Sequence, residues 1–241
     1  MNLYLDIETI PCQKPEFLGH LVQEAQAERA SVKAPSNYKD GLKIAEYIAE
    51  KHAAIDAGID SKLRATSLNG AFGQVAVIGF AYDDGEAGTI WTREWQDPSA
   101  EFLNLRRFFD VIADHHKANL KHGRPCFIGH NITWDLRFLF QRAVVLGIKP
   151  PAFFPINPKP WEETIYDTMV QWAGVKDRVK LDEICLALGI ARKGDEIGEE
   201  IDGSMVWDFV KEGRIGEVAL YCAGDVDRAR EAHKRMTFAG V

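Results

Sequence analysis

The sequence lacks the features of several specialised protein classes. Its four cysteines are scattered and form no C-x-x-C pair, so neither a disulfide framework nor a zinc site is expected, and a reducing cytoplasm is the expected compartment. No apolar run approaches the length that spans a bilayer, and acidic residues interrupt the apolar N-terminal stretch. We therefore expect neither a signal peptide nor a membrane partner.

Positive charge is also in short supply. The 241 residues include 36 acidic and 29 basic side chains, which gives a formal net charge of −7. Because non-specific binding to phosphates requires local positive charge, this balance disfavours a protein that coats nucleic acid. It does not exclude an enzyme with a basic groove beside an acidic metal site. The hydrophobic content of 46% suffices for the core of an α/β domain with insertions.

Hydrophobic periodicity predicts five strands separated by helices. The strands are expected at residues 3–7, 74–82, 88–95, 126–129 and 164–166. Helices are expected within residues 15–67, from Asp97-Pro98 onward, at residues 133–146 and after the last strand, with breaks at residues 189–198 and at Gly213. This order predicts an α/β fold with a mixed sheet covered by helices. We expect one domain over residues 1–241, with residues 14–69 as a helical insertion between the first two strands.

Two carboxylates interrupt the apolar run of the first predicted strand. Residues two apart in a strand face the same side, so Asp6 and Glu8 are expected to project together. Their mutual repulsion and partial burial are costly unless a divalent cation such as Mg²⁺ or Mn²⁺ binds between them. The same spacing recurs at Asp84 and Glu86, in a predicted turn where both side chains can be solvated, so the pair alone is not diagnostic.

Two further stretches offer carboxylates for the same site. Asn131 and Asp135 lie at the opening of the helix that follows the fourth predicted strand. Tyr221 and Asp225 are four residues apart in a predicted helix and therefore share a face. Each has an ordinary structural explanation when taken alone, because an acid favours a helix N-terminus and a tyrosine can be buried beside a solvated acid.

Taken together, these stretches resemble the motifs of a known family. In order they are Asp6-x-Glu8-Thr9, Asn131-x2-Trp134-Asp135 and Tyr221-x3-Asp225. They resemble the DEDD exonucleases, the DnaQ-like 3′–5′ exonucleases of the ribonuclease H-like superfamily, and the tyrosine resembles that of the DEDDy branch. The stretches LDEICLALGI, GSMVWDFVKEG and ALYCAGDVD are similar to the predicted PolB-like 3′–5′ exonuclease group. Trp134 stands where that family usually has phenylalanine or tyrosine.

The resemblance implies a fold and an activity. The fold would be a ribonuclease H-like mixed five-stranded sheet flanked by helices, with the helical insertion after the first strand. The activity would be metal-dependent 3′–5′ hydrolysis of terminal phosphodiesters of DNA, at single strands or 3′ ends, by a two-metal mechanism that releases nucleoside monophosphates. The implied cofactors are two divalent ions, Mg²⁺ or Mn²⁺, and the implied partner is a nucleic acid with a free 3′ end. No protein partner is implied.

The resemblance also assigns roles to the motif residues. Asp6 would bridge both ions, Glu8 and Asp225 would hold the ion that activates water, and Asp135 would support the other ion through water. Tyr221 would orient the attacking water by a hydrogen bond and could accept its proton. Residues implied near the terminal nucleotide are Thr9, Asn131 and Trp134. His130 is expected to pack beside the site, and Asp167 to support the site or cap a helix. Candidate basic rims are KAPSNYKD, with Lys33, Tyr38 and Lys39, and LRFLFQR, with Arg137 and Arg142.

Three alternatives stay open at this point. The substrate can be RNA, since nothing in the sequence identifies a reader of the 2′-hydroxyl. The chain can be a catalytically silent nucleic-acid-binding domain on the same scaffold, which metal-dependent nucleotide release would exclude. A phosphatase of the haloacid dehalogenase type also opens with an apolar strand and D-x-D-x-T. Glu8 in place of the second aspartate disfavours that class, and release of phosphate from phosphomonoesters would discriminate.

Overall fold

The computed structural model describes residues 1–191, 194, 197–199 and 201–239. The chain divides into two compact units, one made of Met1–Thr9 with Val75–Val241 and the other of Ile10–Gln74. Strands in the described part of the chain are β1 (Asn2–Ile10), β2 (Gln74–Tyr82), β3 (Gly88–Ile90), β4 (Cys126–Gly129) and β5 (Ile165–Asp167). Its α-helices are α1 (Pro15–Ser31), α2 (Gly41–Ala65), α3 (Ala100–Ala118), α4 (Ile132–Leu146), α5 (Thr168–Ala173), α6 (Leu181–Leu188), α7 (Val206–Lys211) and α8 (Ile215–Met236). None of these described helices is long and apolar enough to cross a membrane.

The strands form one mixed sheet in the order β3-β2-β1-β4-β5. β2 and β3 are antiparallel, whereas β4 runs parallel to both β1 and β5. Tyr4 pairs with Ile128 and Gly129 pairs with Asp167, so the carboxyl ends of β1, β4 and β5 lie at the same edge of the sheet. The predicted ribonuclease H-like fold, a mixed five-stranded sheet flanked by helices, is confirmed.

Several predicted boundaries differ from the structure; β1, for example, continues to Ile10 rather than ending at residue 7. At two of these boundaries a polar side chain forms a local turn. β3 ends at Ile90 rather than at residue 95, and Thr92 Oγ1 then donates a hydrogen bond to Glu94 Oε2 at 3.0 Å. α3 begins at Ala100 rather than at Asp97, whose Oδ1 accepts from Ser99 N at 2.7 Å. The predicted break at residues 189–198 lies partly outside the described residues.

The core lies between the sheet and its helices. A large apolar cluster combines the central strands with α3 and α4 and includes Leu5, Phe108 and Leu139. Helix α8 approaches β2 closely, because a Cβ at Gly79 would lie only 2.8 Å from Cys222 Sγ. This glycine therefore allows α8 to lie against the sheet beside β1.

The second unit contains the helices α1 and α2, which contact each other. Asp40 caps the N-terminus of α2 by accepting a hydrogen bond from Leu42 N at 2.9 Å. Cys12 N donates to Thr66 Oγ1 at 2.8 Å, which ties the start of the unit to the end of α2. The rings of Phe17 and Phe72 lie 5.0 Å apart.

Candidate functional site

Three carboxylates converge from β1 and α8. The two-residue period of β1 places Asp6 and Glu8 on one side of the strand, as predicted, and α8 brings Asp225 to them. One carboxylate oxygen from each of the three residues lies within 4.8 Å of the others. Glu8 and Asp225 are buried and Asp6 is half-buried. This arrangement concentrates negative charge in a region with little access to water.

A fourth carboxylate lies beside this group. Asp135 is in the first turns of α4, which begins just after Asn131, and its Oδ1 accepts a hydrogen bond from Ile7 N at 3.2 Å. Burial, and next the negative charge of Asp6, raise the pKa of Asp135 well above its usual range. The charge of Asp6 therefore acts on the Asp135 side chain. Asp135 is nevertheless not a member of the cluster whose three carboxylate oxygens lie within 4.8 Å of one another.

Two neighbouring side chains on α8 orient these carboxylates. Arg228 donates from Nε to Asp225 Oδ1 at 2.9 Å, and both side chains are buried. Cys222 Sγ lies 3.4 Å from Asp6 Oδ2. Burial, followed by the charge of Asp6, raises the pKa of the Cys222 thiol well above its usual range, so the neutral thiol donates to Asp6. Of these two side chains, Arg228 adds one positive charge to the acidic cluster, whereas the Cys222 thiol is neutral.

Tyr221 lies one turn before Asp225 on α8 and is buried. Burial is the main cause that raises the pKa of its phenol, and the charges of Glu8 and Asp225 raise it further. The phenol therefore keeps its proton at neutral pH, and it can donate a hydrogen bond to a water or a phosphate oxygen. A role as a proton acceptor is disfavoured by the same charges.

The residues predicted near a terminal nucleotide lie on the elements that carry the carboxylates. Thr9 follows Glu8 on β1 and is half-buried. Asn131 adopts a left-handed conformation, with φ of 60°, at the N-cap of α4. Trp134 is half-buried, and its ring lies 5.2 Å from that of Phe138. Their contact with a nucleotide stays a prediction.

Residues around the fourth and fifth strands brace the Asn131 turn. Asp167 Oδ1 accepts hydrogen bonds from Asn131 N at 2.9 Å and from Met169 N at 3.1 Å, so it supports the turn and caps α5, as predicted. His130 Nδ1 lies 3.1 Å from Thr168 Oγ1, and its Nε2 lies 2.9 Å from the carbonyl oxygen of Val179. His130 therefore packs beside the site, again as predicted.

The prediction that Arg142 lines a basic rim is wrong. Arg142 is fully buried and donates from Nη2 to Glu101 Oε2 at 2.7 Å, so it belongs to the core and cannot line a basic groove.

Two residues that contact the carboxylates, Cys222 and Arg228, were not predicted from the sequence. The arginine follows Asp225 by three residues, which is a helical ion-pair spacing, so the sequence contained a signal for it. No comparable pattern identified Cys222.

Comparison with known families agrees with this geometry. The model of a family described as a predicted 3′–5′ exonuclease related to the exonuclease domain of PolB matches residues 68–229, more than half of the chain. The match includes Asp135, Tyr221 and Asp225, whereas Asp6 and Glu8 precede it. Searches of curated proteins and of solved structures found no match. The chain therefore belongs to the family of predicted 3′–5′ exonucleases related to the exonuclease domain of PolB.

Proposed function

We propose that the protein is a metal-dependent 3′–5′ exonuclease that removes nucleoside monophosphates from 3′ ends of DNA. The observation that carries this proposal is the convergence of carboxylate oxygens from Asp6, Glu8 and Asp225 within 4.8 Å of one another. The family assignment supports a nuclease, and the acidic cluster supports a metal ion as its cofactor.

The donor set fits hard divalent cations. Carboxylate oxygens are the ligands that Mg²⁺ and Mn²⁺ prefer, and the cluster contains no imidazole among its three members. Burying several like charges together is costly, and the positive charge of Arg228 offsets only part of this cost. Asp6, Glu8 and Asp225 would hold two divalent ions, with Asp135 in support through water.

The protein's own groups have distinct tasks in this reaction. When bound, the ions would supply an activated water and stabilise the charge that develops on the leaving 3′ oxygen. Tyr221 keeps its proton and positions the attacking water by a hydrogen bond. Cys222 and Arg228 hold Asp6 and Asp225 in fixed orientations, so the carboxylates need little rearrangement before the reaction. The terminal nucleotide would contact Thr9, Asn131 and Trp134.

The direct test is digestion of end-labelled oligonucleotides with Mg²⁺, Mn²⁺ or EDTA. We expect mononucleotides to be released from the 3′ end of DNA with metal and not with EDTA, and a 3′-phosphate to block the reaction. Parallel RNA and duplex substrates would reveal an exoribonuclease or a strand preference. Nicking of a closed circle, or cleavage that ignores a blocked 3′ end, would contradict the proposal.

A matched pair of variants separates the cluster from acidic residues in general. Asp6→Asn removes one of the clustered carboxylates, whereas Asp84→Asn changes an exposed aspartate of a D-x-E pair, which contacts Lys234. Asp6→Asn should abolish nucleotide release, and Asp84→Asn should preserve it. A protein that binds DNA but releases no nucleotide with either metal would be a silent binding domain.

A further inference from the structure

An exposed basic and aromatic stretch connects α5 to α6. We name residues 172–180 the connecting segment; its sequence WAGVKDRVK contains three basic residues and one acidic residue. Lys176, Arg178 and Lys180 are exposed, and Trp172 exposes 45% of its surface. A local excess of positive charge stands out in a chain whose net charge is −7.

The connecting segment is tied at its last part to the edge of the carboxylate site. The carbonyl oxygen of Val179 lies 2.9 Å from His130 Nε2. The first two residues of the segment end α5, and this helix begins directly after Asp167, which accepts from Asn131 N at 2.9 Å. His130 and Asn131 form the turn that leads into α4 and Asp135. The start of α5 and the end of the segment therefore both lie at the sheet edge at which β1, β4 and β5 end.

The charged groups of this segment face solvent. Among the residues that the structure describes, Lys176 and Arg178 form no ion pair. Lys180 differs from them, because hydrogen bonds from Ser204 and, to a smaller extent, the charge of Lys180 lower the pKa of Asp202. Within the same described residues, the indole of Trp172 has no aromatic partner. An exposed tryptophan and exposed basic side chains in one short segment are typical of single-strand binding surfaces.

We propose that the connecting segment binds the single strand that leads to the 3′ end. Lys176 and Arg178 contact its phosphates, and Trp172 stacks on a base. The charge of the segment complements that of a nucleic acid, because the segment is basic where the chain as a whole is acidic, and its last part lies at the edge of the carboxylate site. This inference rests on the proposed exonuclease function and adds to it the surface that recognises the strand.

The chain offers matched controls for both kinds of contact. Lys121 and Arg124 are an exposed lysine and arginine that precede β4, at the opposite end of that strand from Asn131. Trp161 is 69% exposed and precedes β5, at the opposite end of that strand from Asp167. The double variant K176Q/R178Q is therefore compared with K121Q/R124Q, and Trp172→Ala with Trp161→Ala. The side chains changed in all four variants are exposed, so none of the variants should change the melting temperature.

The measurement is the dissociation constant of short labelled single strands in EDTA, at several salt concentrations. Each phosphate contact contributes roughly 0.7 to the slope of log K against log salt, so K176Q/R178Q should make the slope shallower by about 1.4. K121Q/R124Q should not change the slope. The same change is expected with DNA and RNA, since both have the same phosphates, and a change confined to one of them would contradict backbone recognition.

Trp172 is tested with a normal and an abasic strand. Loss of one stacked base should weaken binding of the normal strand about tenfold in Trp172→Ala, with little effect on the abasic strand or in Trp161→Ala. Wild-type affinity and slope in both connecting-segment variants would overturn the inference. Failure of the exonuclease proposal would instead appear as absence of metal-dependent digestion by the wild-type protein, so the two failures are distinguishable.

Discussion

The two long helices α2 and α8 differ in what they bury. α2 has 25 residues and buries none of them among those described, whereas α8 has 22 residues and buries half of its length. The buried face of α8 includes Tyr221, Asp225 and Arg228. Since a folded chain buries polar groups only where other groups compensate their cost, the buried polar face of α8, rather than helix length, indicates the functional element.

Each of the two helices contains an ion pair between an aspartate and an arginine. In α2, Arg64 Nε lies 2.7 Å from Asp60 Oδ2, with side-chain exposures of 34% and 60%. In α8, Arg228 Nε lies 2.9 Å from Asp225 Oδ1, with exposures of 3% and 6%. The distances are similar, so the difference in solvation decides what each pair contributes. Substitutions of the same residue types in the two helices therefore test this difference.

The largest expected difference concerns the aspartates. Asp225→Asn removes a carboxylate from the cluster and should reduce nucleotide release by more than the roughly 10²–10⁴-fold that a single acid–base group contributes. Asp60→Asn, in the exposed pair of α2, should leave the rate unchanged. The measurement is single-turnover digestion of a labelled oligonucleotide. Equal rates for the two variants would mean that α8 does not contribute to catalysis.

The next difference concerns the tyrosines. Tyr221→Phe removes the protonated hydroxyl beside the carboxylates and should lower the single-turnover rate by about 10²–10⁴-fold, with little change in Mn²⁺ affinity. Tyr47→Phe, on α2, should have no effect on the rate. If Tyr221→Phe retains wild-type turnover, the tyrosine only fills space and the assignment to the tyrosine branch is lost.

The arginines should differ in their effect on stability. Arg228→Gln leaves a buried Asp225 carboxylate without its arginine partner and should lower the free energy of unfolding by about 3–5 kcal/mol in EDTA. Arg64→Gln should cost about 0.5 kcal/mol or less, because its pair is exposed. Urea unfolding measures both. Mn²⁺ should restore part of the Arg228→Gln loss, and a loss below about 1 kcal/mol would contradict the buried pair.

The smallest expected difference concerns two glycines. Gly79→Ala places a Cβ 2.8 Å from Cys222 Sγ and should destabilise the protein by about 1–3 kcal/mol, because α8 must move from β2. Gly58, inside α2, has no atom within 4 Å of its Cβ position, so Gly58→Ala should stabilise by about 0.5–1 kcal/mol. Thermal unfolding of the two variants tests whether the helices differ in packing as described.

Periodicity explains how much of the site could be predicted. The two-residue period of β1 put Asp6 and Glu8 on one side, and the four-residue spacing put Tyr221 and Asp225 on one face of α8. The α/β class, with a mixed sheet covered by helices, followed from the alternation of strands and helices. These features depend on local geometry, which the sequence expresses directly.

The rest depended on tertiary packing. Arg137 and Arg142 occupy one predicted helix, yet Arg137 is exposed and Arg142 is buried against Glu101, 41 residues earlier. The contact of Cys222 with Asp6 joins residues 216 positions apart. No local pattern contains such pairs, since they arise only when α8 packs on the sheet. The ends of β3 and α3 were displaced by side-chain turns at Glu94 and Asp97.

The most direct test of the central claim is titration of the folded protein with Mn²⁺ by calorimetry. The clustered carboxylates predict binding to the wild-type protein, and a stabilisation of about 2.7 kcal/mol at a free Mn²⁺ concentration one hundred times the Kd. Asp6→Asn and Asp225→Asn should each weaken this binding, whereas Asp60→Asn should not. Absence of Mn²⁺ binding to the folded wild-type protein would contradict the account.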